Sequence, residues 1–224
     1  MSNRQFNIRL GIFFMVLFGL FWLWQCPGII TGKLTHEEID HYLSLAEKQL
    51  PAPEPLKKDS LARIRVWAEA DDGKPFYMLN LMRLHPQISK FPGSVDFKGT
   101  PQEANQFYED STFPLLLKNA GSAIYGSDVH GKALINIGEN PALDDWSRML
   151  VVRYPNRRAF LQLVGSPVYA KTAMYKFMAL DVLLVPTDGD EVVPDPRAML
   201  GVLLVILFLA IGWVRERRGN LRQA

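Results

Sequence analysis

The chain of 224 residues contains one cysteine and none of the short motifs that mark the best-known enzyme classes. A single cysteine, Cys26, excludes a disulfide within the chain and says nothing firm about redox compartment. No G-x-S-x-G, P-loop, H-E-x-x-H, C-x-x-C or dinucleotide-binding fingerprint occurs. His36 and His41 do not share one face of a helix, so we expect no metal pair. The sequence therefore predicts no cofactor or metal, and it leaves enzymatic activity undecided.

Charge is nearly missing from two stretches, residues 8–24 and 198–214: the first contains only Arg9, next to its start, and the second contains no acidic or basic side chain. Their lengths lie at the lower edge of the ~17–25 residues that cross a hydrocarbon core. The first stretch ends in FWLWQCPG rather than in the small residues of a signal-peptide cleavage site. The bulky Trp22 and Trp24 are typical of an aromatic belt at a membrane interface. We interpret both stretches as transmembrane helices, the first of them an uncleaved anchor in the lipid bilayer.

Basic residues on the outer flanks predict the orientation of these helices. Arg4 lies in the N-terminal flank and Arg9 at the start of the first stretch, and the C-terminal tail carries four arginines against the single acid Glu216. Because cytoplasmic flanks are enriched in basic residues, we expect both termini in the cytoplasm. The intervening residues would then lie in the periplasm, at a bacterial inner membrane, or outside the cell. Their slight excess of acidic residues argues against a nucleic-acid partner.

These patterns divide the chain into segments with different expected roles. The segments are a cytoplasmic stub (1–7), a transmembrane helix (8–24), a helical stalk or lid (25–72), a ferredoxin-like domain (73–186), a linker (187–197), a second transmembrane helix (198–214) and a basic cytoplasmic tail (215–224).

Capping signals and prolines predict the helices of the stalk. Thr35 and Glu38 form a capping box, which predicts that a helix begins at this point. Prolines 51, 53 and 55 are expected to end it. Apolar spacing then predicts a second, short helix from residue 59 or 60 to about residue 70.

The remaining ectodomain alternates between strand and helix patterns. Strands are predicted at residues 76–83, 122–129, 146–154 and 181–185, with a further short extended piece at 133–137. Two helical regions lie between them. The first region begins with a capping box at Thr100 with Pro101 and Glu103, has a kink or restart at Pro114, and ends before Gly121. The second region has a cap at Asn156 and a restart at Ser166 and Pro167, with Ala173, Met174 and Phe177 on its apolar face. The predicted fold is α+β, a β-α-β-β-α-β ferredoxin-like sheet.

Two sequence blocks carry a resemblance to a known family. They are FYMLNLMR in the first strand and the segment from Asp145 to Leu161 in the third strand and its following helix, with Pro114, Ala120 and Gly121 between them. Over residues 73–186 the chain resembles the domain-of-unknown-function-1330 family. The resemblance implies a dimeric α+β barrel, related in shape to small cofactor-free oxygenases, isomerases and haem-handling barrels. It implies no activity.

The strands themselves favour a homodimer. In this topology both helical regions pack on one face of the sheet. If the other face met water, each strand should alternate between apolar and polar residues. The first strand instead has Met78 and Met82 on one face and Leu79 and Leu81 on the other. A second copy of the same sheet is the simplest cover, since two-fold dimers are the commonest assemblies.

Asn80, in the middle of the first strand, is the principal candidate site residue. An amide buried without partners costs ~1–3 kcal/mol, so some group should hydrogen-bond it. It either ties the strand to neighbouring backbone or to the partner subunit, or it lines a pocket between the two sheets that orients a small apolar ligand. Tyr125 and Tyr154 are the residues expected to share that pocket.

Each of the remaining candidate residues has both a functional and a structural interpretation. Asp128 could orient His130 for acid–base chemistry, although a histidine at a strand end is commonly solvated. Arg153, with Arg157 and Arg158, gathers positive charge near a helix N-terminus and suits an anion, although such arginines commonly cover apolar neighbours.

Two functions from different classes follow from these features. The first is a membrane-held domain that dimerises and binds a ligand or partner. The second is a cofactor-independent oxygenase or isomerase acting on a small apolar substrate.

Overall fold

A computed structural model of the chain describes residues 3–50, 54–137, 144–189 and 196–221. The chain divides into two compact units, Met1–Asp188 and Gly189–Ala224. The elements are α1 (Asn3–Gln25), α2 (Gly28–Thr31), α3 (His36–Gln49), α4 (Glu54–Glu69), β1 (Phe76–Leu84), α5 (Pro101–Lys118), β2 (Ser122–Asp128), β3 (Arg148–Tyr154), α6 (Arg157–Val164), α7 (Pro167–Ala179), β4 (Leu180–Thr187) and α8 (Pro196–Leu221). The predicted α+β class and β-α-β-β-α-β order are confirmed.

The four strands form one antiparallel sheet in the order β2-β3-β1-β4. β1 is therefore central, and the register sets Asn80 opposite Leu150 on β3 and Leu184 on β4. An irregularity between Ala123 and Tyr125 shifts the register of the edge strand β2. The middle of β1 is thus flanked on both sides by strands.

One face of the sheet is covered by helices, and we call it the helix-covered face. Along β1, burial alternates: Met78, Asn80 and Met82 are buried, whereas Leu79 and Leu81 are only half-buried. Residues of α5 and α6 join the same core cluster as the buried side of β1 and β3. The predicted division of β1 into two faces is confirmed.

The opposite face, which we call the open face, is mostly apolar and incompletely buried. Cross-strand pairing assigns to it Tyr77, Leu79, Leu81, Tyr125, Met149, Val151, Arg153, Leu183 and Val185. On the edge strand β4, Leu183 is 49% exposed. Within the chain, these side chains remain half-buried or exposed.

Side-chain caps fix three of the helix starts, as predicted. Thr35 and Thr100 each accept a hydrogen bond from the backbone N–H three residues on, and the glutamates at those positions complete both capping boxes. Asn156 accepts from the N–H of Ala159 at 2.9 Å. Ser166 precedes Pro167 as expected, but its side chain makes no capping hydrogen bond.

Prolines interrupt the helices less than predicted. α4 begins at Glu54, so Pro55 lies inside its first turn, where a missing N–H leaves no intrahelical bond unmade. The expectation that the helix starts at residue 59 or 60 is wrong. Pro114 lies inside α5, which continues to Lys118. A restart at Pro114 is therefore excluded, and the kink given as its alternative stays a prediction.

The end of α5 also differs from the prediction. Ala120, and not Gly121, adopts the left-handed conformation, with φ of 56°. Gly121 is needed for a different reason, because a Cβ at this position would collide with the side chain of Leu116. The glycine therefore permits a close approach of backbone to the helix rather than a left-handed turn.

The extended piece predicted at residues 133–137 is wrong, because this segment forms no strand. Leu134, Ile135 and Ile137 point away from the domain and are almost fully exposed. Among the described residues, the sheet contains no strand that pairs with this mostly apolar segment.

The segment between α1 and β1 contributes to the same core as the sheet. Ile39, Leu43 and Ala68 are buried within the core cluster. Trp67 packs edge-on against Phe76 and Phe160, with ring centroids 4.9 and 5.5 Å away. Trp67 therefore packs against this core.

The helices nearest the two ends are apolar and exposed. Within α1, the stretch Ile8–Gln25 is long and apolar enough to cross a membrane. Within α8, the apolar stretch Val202–Val214 is shorter.

Candidate functional site

Polar side chains interrupt the core between the sheet and the helices α5 and α7. The buried polar residues in this layer come from β1, α5 and α7, and are Asn80, Asn105, Glu109, Thr112, Thr172 and Lys176. Buried polar groups are costly unless they are hydrogen-bonded, so their partners define what this layer can do.

Asn80 is hydrogen-bonded at both ends of its amide. Its Nδ2 donates to the carbonyl oxygens of Met78 at 3.0 Å and Leu150 at 3.3 Å. Its Oδ1 accepts from the Nζ of Lys176 at 3.1 Å. The predicted tie to neighbouring backbone is present. The expectation that Asn80 would face a second sheet is wrong, because its face of β1 is the helix-covered one.

Lys176 is the central charged group of the layer and is 4% exposed. Its Nζ lies 5.0 Å from the centroid of the Tyr108 ring, close enough for a cation–π contact. Burial disfavours the ammonium and lowers the pKa of Lys176 to about 8, although the nearby Glu109 carboxylate opposes this effect. About a tenth of the lysine would then be a neutral amine at pH 7.

A small cavity of ≈ 40 Å³ adjoins the Lys176 amine. Asn80, Tyr154, Tyr108 and Thr112 are among the residues that line it. Burial raises the pKa of both the Tyr108 and the Tyr154 hydroxyl, so these groups stay protonated donors. A water needs ~10–15 Å³, so the cavity has room for a few waters or a molecule of similar size.

Glu109 belongs to this cavity and also to a neighbouring pocket of ≈ 180 Å³. In that pocket Arg148 donates to both oxygens of Glu109 at 3.0 Å and, through Nη1, to Asp128 at 2.9 Å. The Nδ2 of Asn105 donates to Glu109 as well, at 3.0 Å. Glu109 is therefore committed to Arg148 and Asn105 rather than to Lys176.

Asp128 does not orient His130, and of the two alternatives the solvated histidine is the one present. Asp128 pairs with Arg148 across the sheet, and His130 is exposed in the loop after β2. In the ranges that the structure describes, no three His, Cys, Asp or Glu side chains are grouped to hold a metal ion.

Of the two tyrosines expected beside Asn80, only one lies near it. Tyr154 is buried on the helix-covered face and lines the cavity with Asn80. Its ring also stacks on Phe76, with centroids 5.2 Å apart. Tyr125 lies on the open face, 52% exposed, with the whole sheet between it and the cavity.

Arg153 on β3 and Arg158 on α6 contact the end of α1 and the segment that follows it. Arg153, on the open face, donates to the side chain of Gln25 at 2.7 Å and to its backbone carbonyl at 3.1 Å. Arg158 donates to both oxygens of Glu38 at 2.9 Å. This pairing lowers the pKa of Glu38 to about 2, with the Arg158 hydrogen bond as the main cause.

Arg157 completes this set of contacts. It donates to the carbonyl oxygen of Trp67, lies over the Trp67 ring at 5.1 Å, and approaches the carboxylate of Asp71 at 3.8 Å. The three arginines that suggested an anion site thus contact groups of the chain itself, all within residues 25–71.

Lys176, Glu109 and Tyr108 form the part of the site that the sequence patterns did not reveal. The apolar face predicted for α7 used Ala173, Met174 and Phe177, but Met174 and Phe177 are only half-buried. The buried positions are Thr172, Ala173, Lys176, Met178 and Ala179, and all but Met178 follow one helical spacing. A lysine within that spacing was the available signal.

No family model matches the chain, and no curated protein matches it. The predicted membership of the domain-of-unknown-function-1330 family therefore stays a prediction. Among solved structures, the chain is similar to the RPA0582 protein of unknown function from Rhodopseudomonas palustris, with 24% identity and a TM-score of 0.49 over 61% of this chain and 95% of that one. Methylated RPA0582 gives 25% identity and a TM-score of 0.49, over 61% and 93%.

A third solved structure shares less sequence. SnoaB, a cofactor-independent oxygenase from Streptomyces nogalater, is 11% identical with a TM-score of 0.36, over 55% of this chain and 99% of that one. At TM-scores below 0.5 these similarities carry no conclusion about the chemistry of this chain.

Proposed function

We propose that the chain is a membrane-anchored binding protein whose α+β domain pairs with a second copy of itself through the open face. The observation that carries this proposal is the open face, where Leu79, Leu81 and Val151 form an apolar surface across central strands. An antiparallel sheet that met water on this side would present polar residues there.

A second copy is the occupant that the open face favours. A two-fold axis parallel to the sheet, in the plane between two copies, would bring the same apolar side chains together from both, so the surface is its own complement. Two such sheets face to face, each backed by its helices, would give the dimeric barrel that the family resemblance implies.

The membrane part of the proposal rests on the terminal helices. Ile8–Gln25 has the length and composition of a span, and Val202–Val214 would form the apolar centre of a second, shorter one. With basic flanks in the cytoplasm, residues 25–197 would lie in the periplasm of a bacterial inner membrane. A reporter enzyme fused after Ala224 should then be active only if it works in the cytoplasm. Activity of an export-dependent reporter at that position would contradict the topology.

The catalytic alternative has less physical support. Pockets for small apolar substrates typically measure ~300–1,000 Å³. The cavity that contains Asn80 and Tyr154 measures ≈ 40 Å³ and is lined by several polar groups. An oxygenase or isomerase acting on an apolar substrate would need a larger, drier space than this cavity.

The pairing can be tested on the full-length protein in detergent micelles by light scattering, which separates protein mass from detergent mass. We expect twice the mass of the chain. Leu81→Asp should shift the protein to a monomer, because burying an unpaired carboxylate costs several kcal/mol and so raises Kd by at least ~100-fold. Leu117→Asp is the matched control, since Leu117 lies on α5 and is 56% exposed. A monomer for the unmodified protein, or a dimer for Leu81→Asp, would overturn the proposal.

A further inference from the structure

The amine of Lys176 has no role in the proposed pairing, yet it is the most deeply buried charge-bearing group of the helix layer. A lysine side chain reaches water easily when its only task is to cover apolar surface. Here the chain holds the amine inside, between α5 and β1, where an apolar residue would pack at no electrostatic cost. Such a position needs a reason other than stability.

The contacts of Lys176 are those of a reactive amine rather than of a structural ion pair. A buried structural lysine is normally neutralised by a carboxylate in direct contact. The nearest carboxylate, Glu109, instead gives both oxygens to Arg148. Among the described residues, the single hydrogen bond of Lys176 goes to the neutral Asn80 Oδ1, which orients the nitrogen without stabilising a full positive charge as a carboxylate would.

The space beside this amine fits a small reactant. The cavity of ≈ 40 Å³ touches Lys176 and is lined by Asn80, Tyr108, Thr112 and Tyr154. Amide and hydroxyl groups of this kind can hydrogen-bond the oxygen of a carbonyl compound. The volume limits a reactant to a few heavy atoms, a size class that includes the short aldehydes.

We propose that Lys176 is a covalent binding site for a short aldehyde, with the cavity beside Asn80 and Tyr154 as the place where the aldehyde binds. The nitrogen lone pair attacks the carbonyl carbon, a C–N bond forms, and the carbonyl oxygen takes up the proton that the nitrogen loses. The resulting carbinolamine then expels its hydroxyl with a second proton from nitrogen. Water and an imine are the products, with no change of oxidation state.

The titratable groups that line the cavity with Lys176 are Tyr108 and Glu109 on α5 and Tyr154 on β3. The two tyrosines remain neutral at pH 7 because burial raises the pKa of each. Lys176 therefore has a larger neutral fraction at this pH than a solvated lysine, by ~300-fold for a pKa near 8.

The test is reductive alkylation of the full-length protein in detergent micelles at pH 7, with acetaldehyde as the probe and cyanoborohydride to trap the imine. Peptide mass spectrometry measures the rate of ethylation at each lysine. Lys171, exposed on the same helix α7, is the internal reference. We expect Lys176 to be ethylated at least about tenfold faster than Lys171, since restricted access offsets part of the larger neutral fraction.

Three further measurements make the result decisive. Lys176→Met should remove this fast site and leave the rate at Lys171 unchanged, and an unaltered circular dichroism spectrum would show that the variant is folded. Denaturant should bring the two lysines to equal rates, because the effect depends on the folded cavity. The proposal is independent of pairing, so Leu81→Asp should label like the unmodified protein. Ethylation of Lys176 no faster than that of Lys171 in the folded protein would overturn the proposal.

Discussion

The two faces of the sheet differ in where their unusual residues lie. On the helix-covered face, the polar side chain of Asn80 is surrounded by partners and completes a hydrogen-bonded layer. On the open face, ordinary apolar residues such as Leu79 and Leu81 have no such enclosure. A polar residue in a strand therefore marks the interior of this domain. The surface that we propose for pairing is marked instead by apolar residues where a solvated sheet would carry polar ones.

The largest effect should come from adding the same charge to each face in turn. Met78 is 4% exposed on the helix-covered face, and Leu81 lies on the open face of the same strand. Met78→Asp should lower the free energy of unfolding by ~4 kcal/mol or more, because it buries a carboxylate in the hydrophobic core, opposite Val152 and Pro186. Leu81→Asp should leave the separated subunit folded. Circular dichroism during chemical denaturation measures both, and equal losses of secondary structure would mean that the faces do not differ.

The next effect concerns the buried charge of the helix-covered face. The pKa of Lys176 is lowered, so between pH 8 and 10.5 the unfolded chain binds a proton that the folded chain does not. The free energy of unfolding should therefore rise across this window, by on the order of 3 kcal/mol.

Lys176→Met supplies the comparison for this pH dependence. The buried Tyr108 and Tyr154 oppose the rise near pH 10, since the unfolded tyrosines lose their protons first. They contribute to both proteins, so the difference between the two denaturation series isolates Lys176. Parallel pH profiles would show that Lys176 titrates normally.

A smaller effect is expected from removing the amide of β1. Asn80→Leu leaves the Lys176 amine and two backbone carbonyls without its hydrogen bonds, which should cost ~1–3 kcal/mol of unfolding free energy. Combined with Lys176→Met, the loss should be less than the sum of the two single changes, because both partners are then apolar. Additive losses in a double-mutant cycle would indicate that the two side chains do not depend on each other.

The smallest effect on stability should come from the ion pair of Glu38 and Arg158, which belongs to neither face of the sheet. Glu38 has a lowered pKa through Arg158, so its contribution is complete above pH 4.5 and is lost as pH falls towards 2. Arg158→Ala should cost about 1 kcal/mol at pH 7, since Glu38 is partly solvated. Glu38→Gln should flatten the acid limb of the stability profile. An unchanged acid limb in this variant would assign the pH dependence to other carboxylates.

Local signals predicted most helix starts and the order of elements. The capping boxes at Thr35 and Thr100 depend on residues three apart, so the sequence contains the whole interaction. The left-handed Ala120 was not predicted, because the preference for glycine at that point was overridden by the contact between Gly121 and Leu116. Such a contact exists only after the chain that follows α5 has turned back against the helix.

The sequence predicted only part of the candidate site, because several of its contacts also form only when the chain has folded. The alternation of β1 correctly separated Asn80 from Leu79, but it could not say which face the helices would cover. Lys176 and Glu109 come from two helices that are far apart in the sequence and meet only through packing. No periodicity links such residues, so the layer becomes visible only in three dimensions.

The bond between Arg153 and Gln25 has a mechanical consequence for the domain as a whole. Gly28 also touches Gly73 so closely that any side chain there would force the two segments apart. The chain therefore contacts the domain within a few residues of the end of α1, so the connection between them is short. If α1 spans a bilayer, a change in its tilt would change the orientation of the sheet relative to the membrane. Membrane thickness, which affects helix tilt, would then affect the angle at which two copies meet.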